Sequence, residues 1–251
     1  MKKTISTVIA TLAILGCSPE EAKGPSLVIT DSNAKALVTN SLALTDFAED
    51  YSDIGFRSLQ DTGTRSATRA TESFTFSCDS GSQTMTISVD DSAISGDDLA
   101  ANGSMSITTA FNNCVEFGET SNGSMTITFG WTGYDGYDAS TVSLVIDFDE
   151  FETSSSEGSA SMDGKLNASI SGDSVSMSFN YLVSATETGG ETIRIKTTSN
   201  IVFNTADAYP SSGAWRIEGA EDTFITATIV ANGVEYSVNG GQTVLVAWDD
   251  Y

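Results

Sequence analysis

From Glu72 to the end of the chain, apolar residues recur at every second position. Phe74, Phe76 and Cys78 alternate with Ser and Thr, and Met85, Ile87 and Val89 do the same. Met105, Ile107 and Phe111 follow, then Met125, Ile127, Phe129 and Trp131, then Val142, Leu144, Ile146 and Phe148. Successive side chains of a strand point to opposite faces, so this period, with Ser and Thr on the alternate positions, describes antiparallel strands with one dry and one wet side. The expected fold is mainly β. A single domain over 72–251 forms a long antiparallel meander, as a strongly curved sheet or partly closed barrel.

Glycine-bearing turns suggest the registers. With Gly172-Asp173 as a two-residue turn, Ile170 faces Val175, Ala168 faces Met177, Leu166 faces Phe179 and Met162 faces Val183. Every apolar residue then meets an apolar partner. Asn232-Gly233 treated the same way sets Ala231 against Val234, Ile229 against Tyr236 and Ala227 against Val238. For Thr188-Gly189-Gly190 a three-residue loop is preferred, with Val183 opposite Ile195 and Ala185 opposite Ile193. Asn239-Gly240-Gly241 takes the same form and turns Val244, Val246 and Trp248 inward. The arms of the 158–187 hairpin exceed the usual strand length of about five or six residues more than twofold, so the sheet is expected to twist and curl.

The N-terminus reads as an address. Lys2 and Lys3 precede an apolar run from Val8 to Leu15, too short to remain as a membrane-spanning helix. Ile14-Leu15-Gly16-Cys17 resembles the bacterial lipobox, which implies cleavage after residue 16 and lipidation of Cys17. Ser18 after the cysteine implies sorting to the outer membrane. Residues 17–30 then form a lipidated tether. Asp31 or Ser32 caps a helix expected over 31–56, whose stripe of Ala34, Leu37, Val38, Ser41, Leu44, Phe47, Ala48 and Tyr51 covers the apolar face of the sheet. Residues 57–71 are a polar loop carrying Arg57, Arg65 and Arg69, a candidate contact site in a chain poor in positive charge.

Composition excludes several chemistries. The chain of 251 residues holds 34 acidic and 11 basic side chains, a net charge of −23, and no histidine. Without histidine there is no Ser-His or Cys-His catalytic pair and no His-ligated zinc. The acid excess argues against nucleic acid as a partner, because phosphates need Lys and Arg. No phosphate-binding loop or nucleophile elbow is present, so no enzymatic activity is expected. Removing Cys17 to the lipid anchor leaves Cys78 and Cys114 as an even pair, expected to form a disulfide in an oxidising compartment. No cofactor is expected. Where a cation is considered, calcium suits the carboxylates, with Asp147 and Asp149 on one strand face and Asp135 and Asp138 in a glycine-punctuated turn.

The stretch Tyr209-Pro210-Ser211-Ser212-Gly213-Ala214-Trp215-Arg216-Ile217-Glu218-Gly219-Ala220, with a closing Val246-Ala247-Trp248-Asp249-Asp250, resembles the C-terminal region of uncharacterised β-rich lipoproteins of Gram-negative bacteria. Phe111-Asn112-Asn113-Cys114 followed by Asn122-Gly123-Ser124 is similar to their central segment. The resemblance implies a shared fold and an envelope location, and no activity. Asn239-Gly240-Gly241 departs from their Asp/Gly-rich turn, which weakens a metal inference there.

Together these readings describe a non-enzymatic lipoprotein anchored to the outer membrane through its acyl chains and facing the periplasm or the cell surface. It acts as a structural or interaction module, with an envelope protein as one class of partner, and its charge favours a monomer. An alternative is a carrier of a hydrophobic ligand, in which Phe76, Phe111, Phe129, Phe148, Phe179, Tyr181 and Trp215 line a cavity instead of packing solid. A further alternative is a calcium-dependent surface adhesin.

Overall fold

The computed structural model describes residues 24–42, 71–95, 98–156 and 158–250. Fourteen strands follow one helix, α1, over residues 31–42. The strands are β1 (Glu72–Ser77), β2 (Ser80–Val89), β3 (Ile94–Ser95), β4 (Asp98–Leu99), β5 (Asn102–Glu116), β6 (Glu119–Thr132) and β7 (Thr141–Ser155). They continue as β8 (Gly158–Ser171), β9 (Ser174–Ala185), β10 (Thr192–Asn204), β11 (Ser212–Glu218), β12 (Phe224–Val230), β13 (Gly233–Val238) and β14 (Thr243–Ala247). Twelve of them form one antiparallel sheet in chain order, while β3 and β4 make a separate small hairpin between β2 and β5. The meander is therefore as the alternation predicts. It does not close into a barrel, because β1 and β14 each pair with a single strand.

The alternating positions build one continuous apolar layer. Across strands β6 to β9, Ile127 pairs with Ile146, Ile146 with Leu166, and Leu166 with Phe179. Further along, Tyr181 pairs with Ile195, Ile195 with Ile217, and Ile217 with Ile225. Same-face cross-strand pairs of this kind are the unit of sheet stabilisation. The core sits over β6 to β13, whereas Phe74 and Phe76 on β1 remain 43% and 47% exposed.

Helix α1 starts at residue 31 as expected, but its cap is the residue before, not Asp31 or Ser32. Thr30 stands at its N-cap, its carbonyl accepting from the Asn33 and Ala34 N–H groups. The Asn33 side chain in turn accepts from the Thr30 N–H at 2.9 Å, so the cap is built by Thr30 and Asn33 and not by Asp31 or Ser32. Ala34, Leu37, Val38 and Leu42 are buried in the main core. The expectation that the helix covers the apolar face is corrected by its size. At about 1.5 Å per residue it spans roughly 18 Å, while twelve strands about 4.8 Å apart extend over more than 50 Å. Residues 43–56, the rest of the predicted helix, lie outside the described residues, as does the predicted loop up to residue 70.

The segment before the helix is held to the sheet. Ser26 and Leu27 N–H groups donate to Thr192 O, Ala220 N–H donates to Leu27 O, and Ile29 N–H donates to Thr223 Oγ1 at 3.0 Å. Ile29 is fully buried as a result.

Registers test the turn readings. All four β8–β9 pairs expected from Gly172-Asp173 are present, and β13–β14 pairs as its three-residue loop requires, with Tyr236 opposite Val244. Val246 is buried there, but Val244 is 46% exposed on the sheet edge. Two registers differ. Between β12 and β13 the turn residues are Ala231 and Asn232, so Ile229 faces Val234 and Ala227 faces Tyr236. Gly233 belongs to the strand, where a Cβ would lie 2.0 Å from Val246 O, a position only glycine fills. Between β9 and β10 a longer connection runs through a 3-10 turn at Thr186–Thr188, and Val183 faces Ile193, Tyr181 faces Ile195. The Thr188 hydroxyl explains the length. It accepts from Ala185 N–H at 3.1 Å and lies 2.6 Å from Ala185 O and 2.5 Å from Glu191 O, tying both ends of the loop together.

Candidate functional site

Two places on the fold combine accessible space or charge with distinctive side chains. The first is a crevice between α1 and the β9–β10 hairpin. Residues of α1 and of the loop held by Thr188 face one another across this crevice. Between them lies a cavity of about 300 Å³ walled by Leu27, Leu37, Val183, Ile193 and Ile195, with Asn33, Asn40, Ser41 and Thr188 as its polar residues. Ser41 and Thr188 are already engaged. Ser41 Oγ donates to Val38 O at 2.8 Å and accepts from Trp215 Nε1 at 2.9 Å, while Thr188 serves its own loop. Apart from Asn33 and Asn40 the remaining walls offer mainly apolar contact, and the volume is at the lower end of the roughly 300–1,000 Å³ typical of small-molecule pockets.

The second place is on the opposite, polar face of the sheet. Among the described residues the basic side chains are Lys35, Lys165, Arg194, Lys196 and Arg216. The last four stand together. Lys165 on β8 pairs with Asn180 on β9, Asn180 with Lys196 on β10, and Lys196 with Arg216 on β11, forming one row across four strands. Arg194 lies two residues from Lys196 on the same face, opposite Glu218, and its Nη1 donates to Asn180 Oδ1 at 3.3 Å. Lys165 Nζ meets Asp147 at 2.7 Å. A single oxygen, Glu218 Oε1, serves both Lys196 Nζ at 2.6 Å and Arg216 Nε at 3.3 Å. Arg216 also stacks over the Phe224 ring, 3.7 Å from its centroid.

The residues singled out from sequence are distributed as follows. Cys78 and Cys114 form a disulfide with Cα atoms 5.4 Å apart, joining the β1–β2 turn to β5. Glu116 lies close to both sulfurs, but a disulfide offers no thiolate to a metal. Asp147 and Asp149 do share the polar face, opposite Thr126 and Ser124, but Asp147 is engaged by Lys165. Asp135 accepts from the Tyr137 and Asp138 N–H groups, both at 3.0 Å. These backbone donors, Asp138 first, hold its carboxyl below the usual range. It is a turn-forming carboxylate, and among the described residues no three carboxylates converge on a common point. Cys17, Arg57, Arg65 and Arg69 lie outside the described residues.

The inward aromatic residues divide. Phe129, Phe148, Phe179, Tyr181 and Trp215 are buried in one cluster, whereas Phe111 is half-buried and Phe76 exposed. Phe148 meets Tyr181 edge-on with centroids 5.9 Å apart, and Phe179 stacks on Tyr181 at 6.0 Å. Burial pushes the Tyr181 phenol well above its ordinary pKa. These rings pack against one another; the crevice is lined by aliphatic residues instead. The basic row escaped the sequence reading because its members come from three hairpins. The signal that could have found it was the Arg194/Lys196 spacing combined with correct registers. No family model matches the chain. No curated protein and no solved structure matches it either.

Proposed function

We propose that the chain is a non-enzymatic envelope lipoprotein, anchored through Cys17 and presenting its sheet as a structural or interaction module. The observation that carries this reading is the Cys78–Cys114 disulfide, since such bonds persist in oxidising compartments outside the cytosol. It agrees with the Lys2-Lys3 start, the apolar run and the Gly16-Cys17 junction, and with the resemblance to β-rich Gram-negative lipoproteins. Strong curvature of the sheet belongs to the same reading. Bulges at Asn113 and Glu150, with φ of 46° and 47°, interrupt β5 and β7. Gly81 and Gly123 lie against them, where a Cβ would come within 2.0 Å of the Asn113 and Glu150 carbonyl oxygens. Bulges paired with glycines bend a sheet and raise its twist.

Membrane fractionation tests the anchor. The full chain is expected in the outer-membrane fraction, and Cys17→Ser is expected to move essentially all of it to the soluble fraction. Variant protein that stays with the membrane would overturn lipidation as the anchor.

The crevice of about 300 Å³ favours a second reading, a carrier of a hydrophobic ligand. Native mass spectrometry of the Cys17→Ser protein is then expected to find a co-purifying apolar molecule, displaced when Ile193→Trp fills the space. Protein that is ligand-free and binds no hydrophobic probe would eliminate the carrier.

A further inference from the structure

We propose that the basic row on β8 to β11 is a docking surface for an acidic polysaccharide, a reading that deepens the interaction-module function and depends on it. In a chain of net charge −23, four of the five described basic side chains occupy one patch, against Asp147 on the neighbouring β7, Asp163 on β8 and Glu218 on β11, all on the same face. Strand pairing puts Lys165, Lys196 and Arg216 in line across the sheet, separated by single strand spacings or pairs of them. Such a row matches an extended chain with repeated charges better than a single small anion.

Internal pairing leaves the positive charge incompletely used. One oxygen of Glu218 is shared by Lys196 and Arg216, and Arg194 reaches only a neutral amide oxygen. The Arg216 Nε–H is buried beside Glu218 without completing a hydrogen bond. Lys165 and Lys196 remain accessible, with side chains 60% and 39% exposed. An arriving carboxylate would be met by the exposed Lys165 and Lys196 ammonium groups, and charge-assisted contacts of this type are the strong ones.

The surroundings suit sugar rather than lipid or nucleic acid. Asn180, Ser176 and Ser178 on β9, Asn167 on β8 and Thr226 on β12 share the face and offer amide and hydroxyl partners for saccharide hydroxyls. The surrounding acid excess opposes any polyanion at long range, so recognition rests on these short-range contacts at the row.

The test uses full-length protein in detergent with polygalacturonate as probe, neutral dextran and poly-glutamate as controls, read by calorimetry at low and physiological ionic strength. Polygalacturonate is expected to bind, more weakly as salt rises, and dextran not to bind. Lys165→Gln combined with Lys196→Gln is expected to weaken binding about tenfold, since both are exposed ion contacts. Glu218→Gln is expected to strengthen it several-fold by releasing Lys196 and Arg216. No polygalacturonate binding, or binding indifferent to these substitutions, overturns the surface as a polyanion site. Equal binding of poly-glutamate overturns the saccharide assignment. Release by Cys17→Ser alongside absent polygalacturonate binding would sink this proposal while leaving the lipoprotein reading intact.

Discussion

Truncating Trp215 to alanine is expected to lower the unfolding free energy by about 3–5 kcal/mol, the range for removing a buried aromatic side chain. Trp215 is 1% exposed at the centre of the main cluster, and its indole N–H is the donor to Ser41 Oγ, 174 residues earlier in the chain. That bond fixes α1 against β11. Ser41 is itself 2% exposed and sits on the apolar stripe between Val38 and Leu42, its hydroxyl donating to Val38 O and accepting from Trp215. Serine in such a place costs free energy unless its hydroxyl is satisfied. Two further variants separate packing from the hydrogen bond. Trp215→Phe keeps most of the ring, and Ser41→Ala leaves the indole N–H buried without an acceptor. Each is expected to cost about 1–3 kcal/mol. Urea denaturation followed by tryptophan fluorescence and circular dichroism measures all three. A loss below about 1 kcal/mol for Trp215→Ala would mean that the helix does not dock there.

Breaking the Cys78–Cys114 bond is expected to cost about 3–4 kcal/mol, the entropy of closing a loop whose ends are 36 residues apart. The location makes the loss local as well as global. Cys78 lies just beyond β1, and β1 is an edge strand of six residues, all exposed. Half of its cross-strand partners are hydroxyl residues, Ser73 bonding Thr86 at 2.8 Å, and Thr71 just before the strand bonds Ser88 at 3.1 Å. Exposed hydroxyl pairs contribute little against water, so the disulfide is what ties this edge to β5. Hydrogen exchange of Cys78→Ser/Cys114→Ser is expected to show faster exchange in β1 and β2 than in β8 and β9. An unchanged denaturation midpoint in the reduced and oxidised protein would contradict the role assigned to this bond.

The hairpins show where sequence reasoning holds. Gly172-Asp173 joins two long arms by a tight turn, and pairing every apolar residue across it left a single register, the one found. The β9–β10 and β12–β13 registers were each displaced by two residues. In one case the Thr188 hydroxyl holds a longer loop together; in the other Gly233 is needed inside the strand, against the Val246 carbonyl. Neither cause appears in the pattern of apolar positions. A displacement by an even number also leaves every side chain on its own face, so alternation cannot detect it.

The two-residue shift between β9 and β10 also aligns the basic row. The three-residue loop expected at 188–190 would place Lys196 opposite Leu182. The observed register places it opposite Asn180, in line with Lys165 and Arg216. The crevice beside α1 depends on the same loop and was equally hidden.

Alternation alone determined that this chain is an antiparallel β meander and which face of each strand is the apolar one. These follow from the local geometry of the strand, in which side chains alternate whatever their partners. Which residues meet, how far α1 reaches across the sheet, and that four scattered cations form one patch were decided only by tertiary structure. Those outcomes depend on loop lengths set by single side-chain hydrogen bonds and backbone approaches, and such contacts exist only once the strands lie side by side.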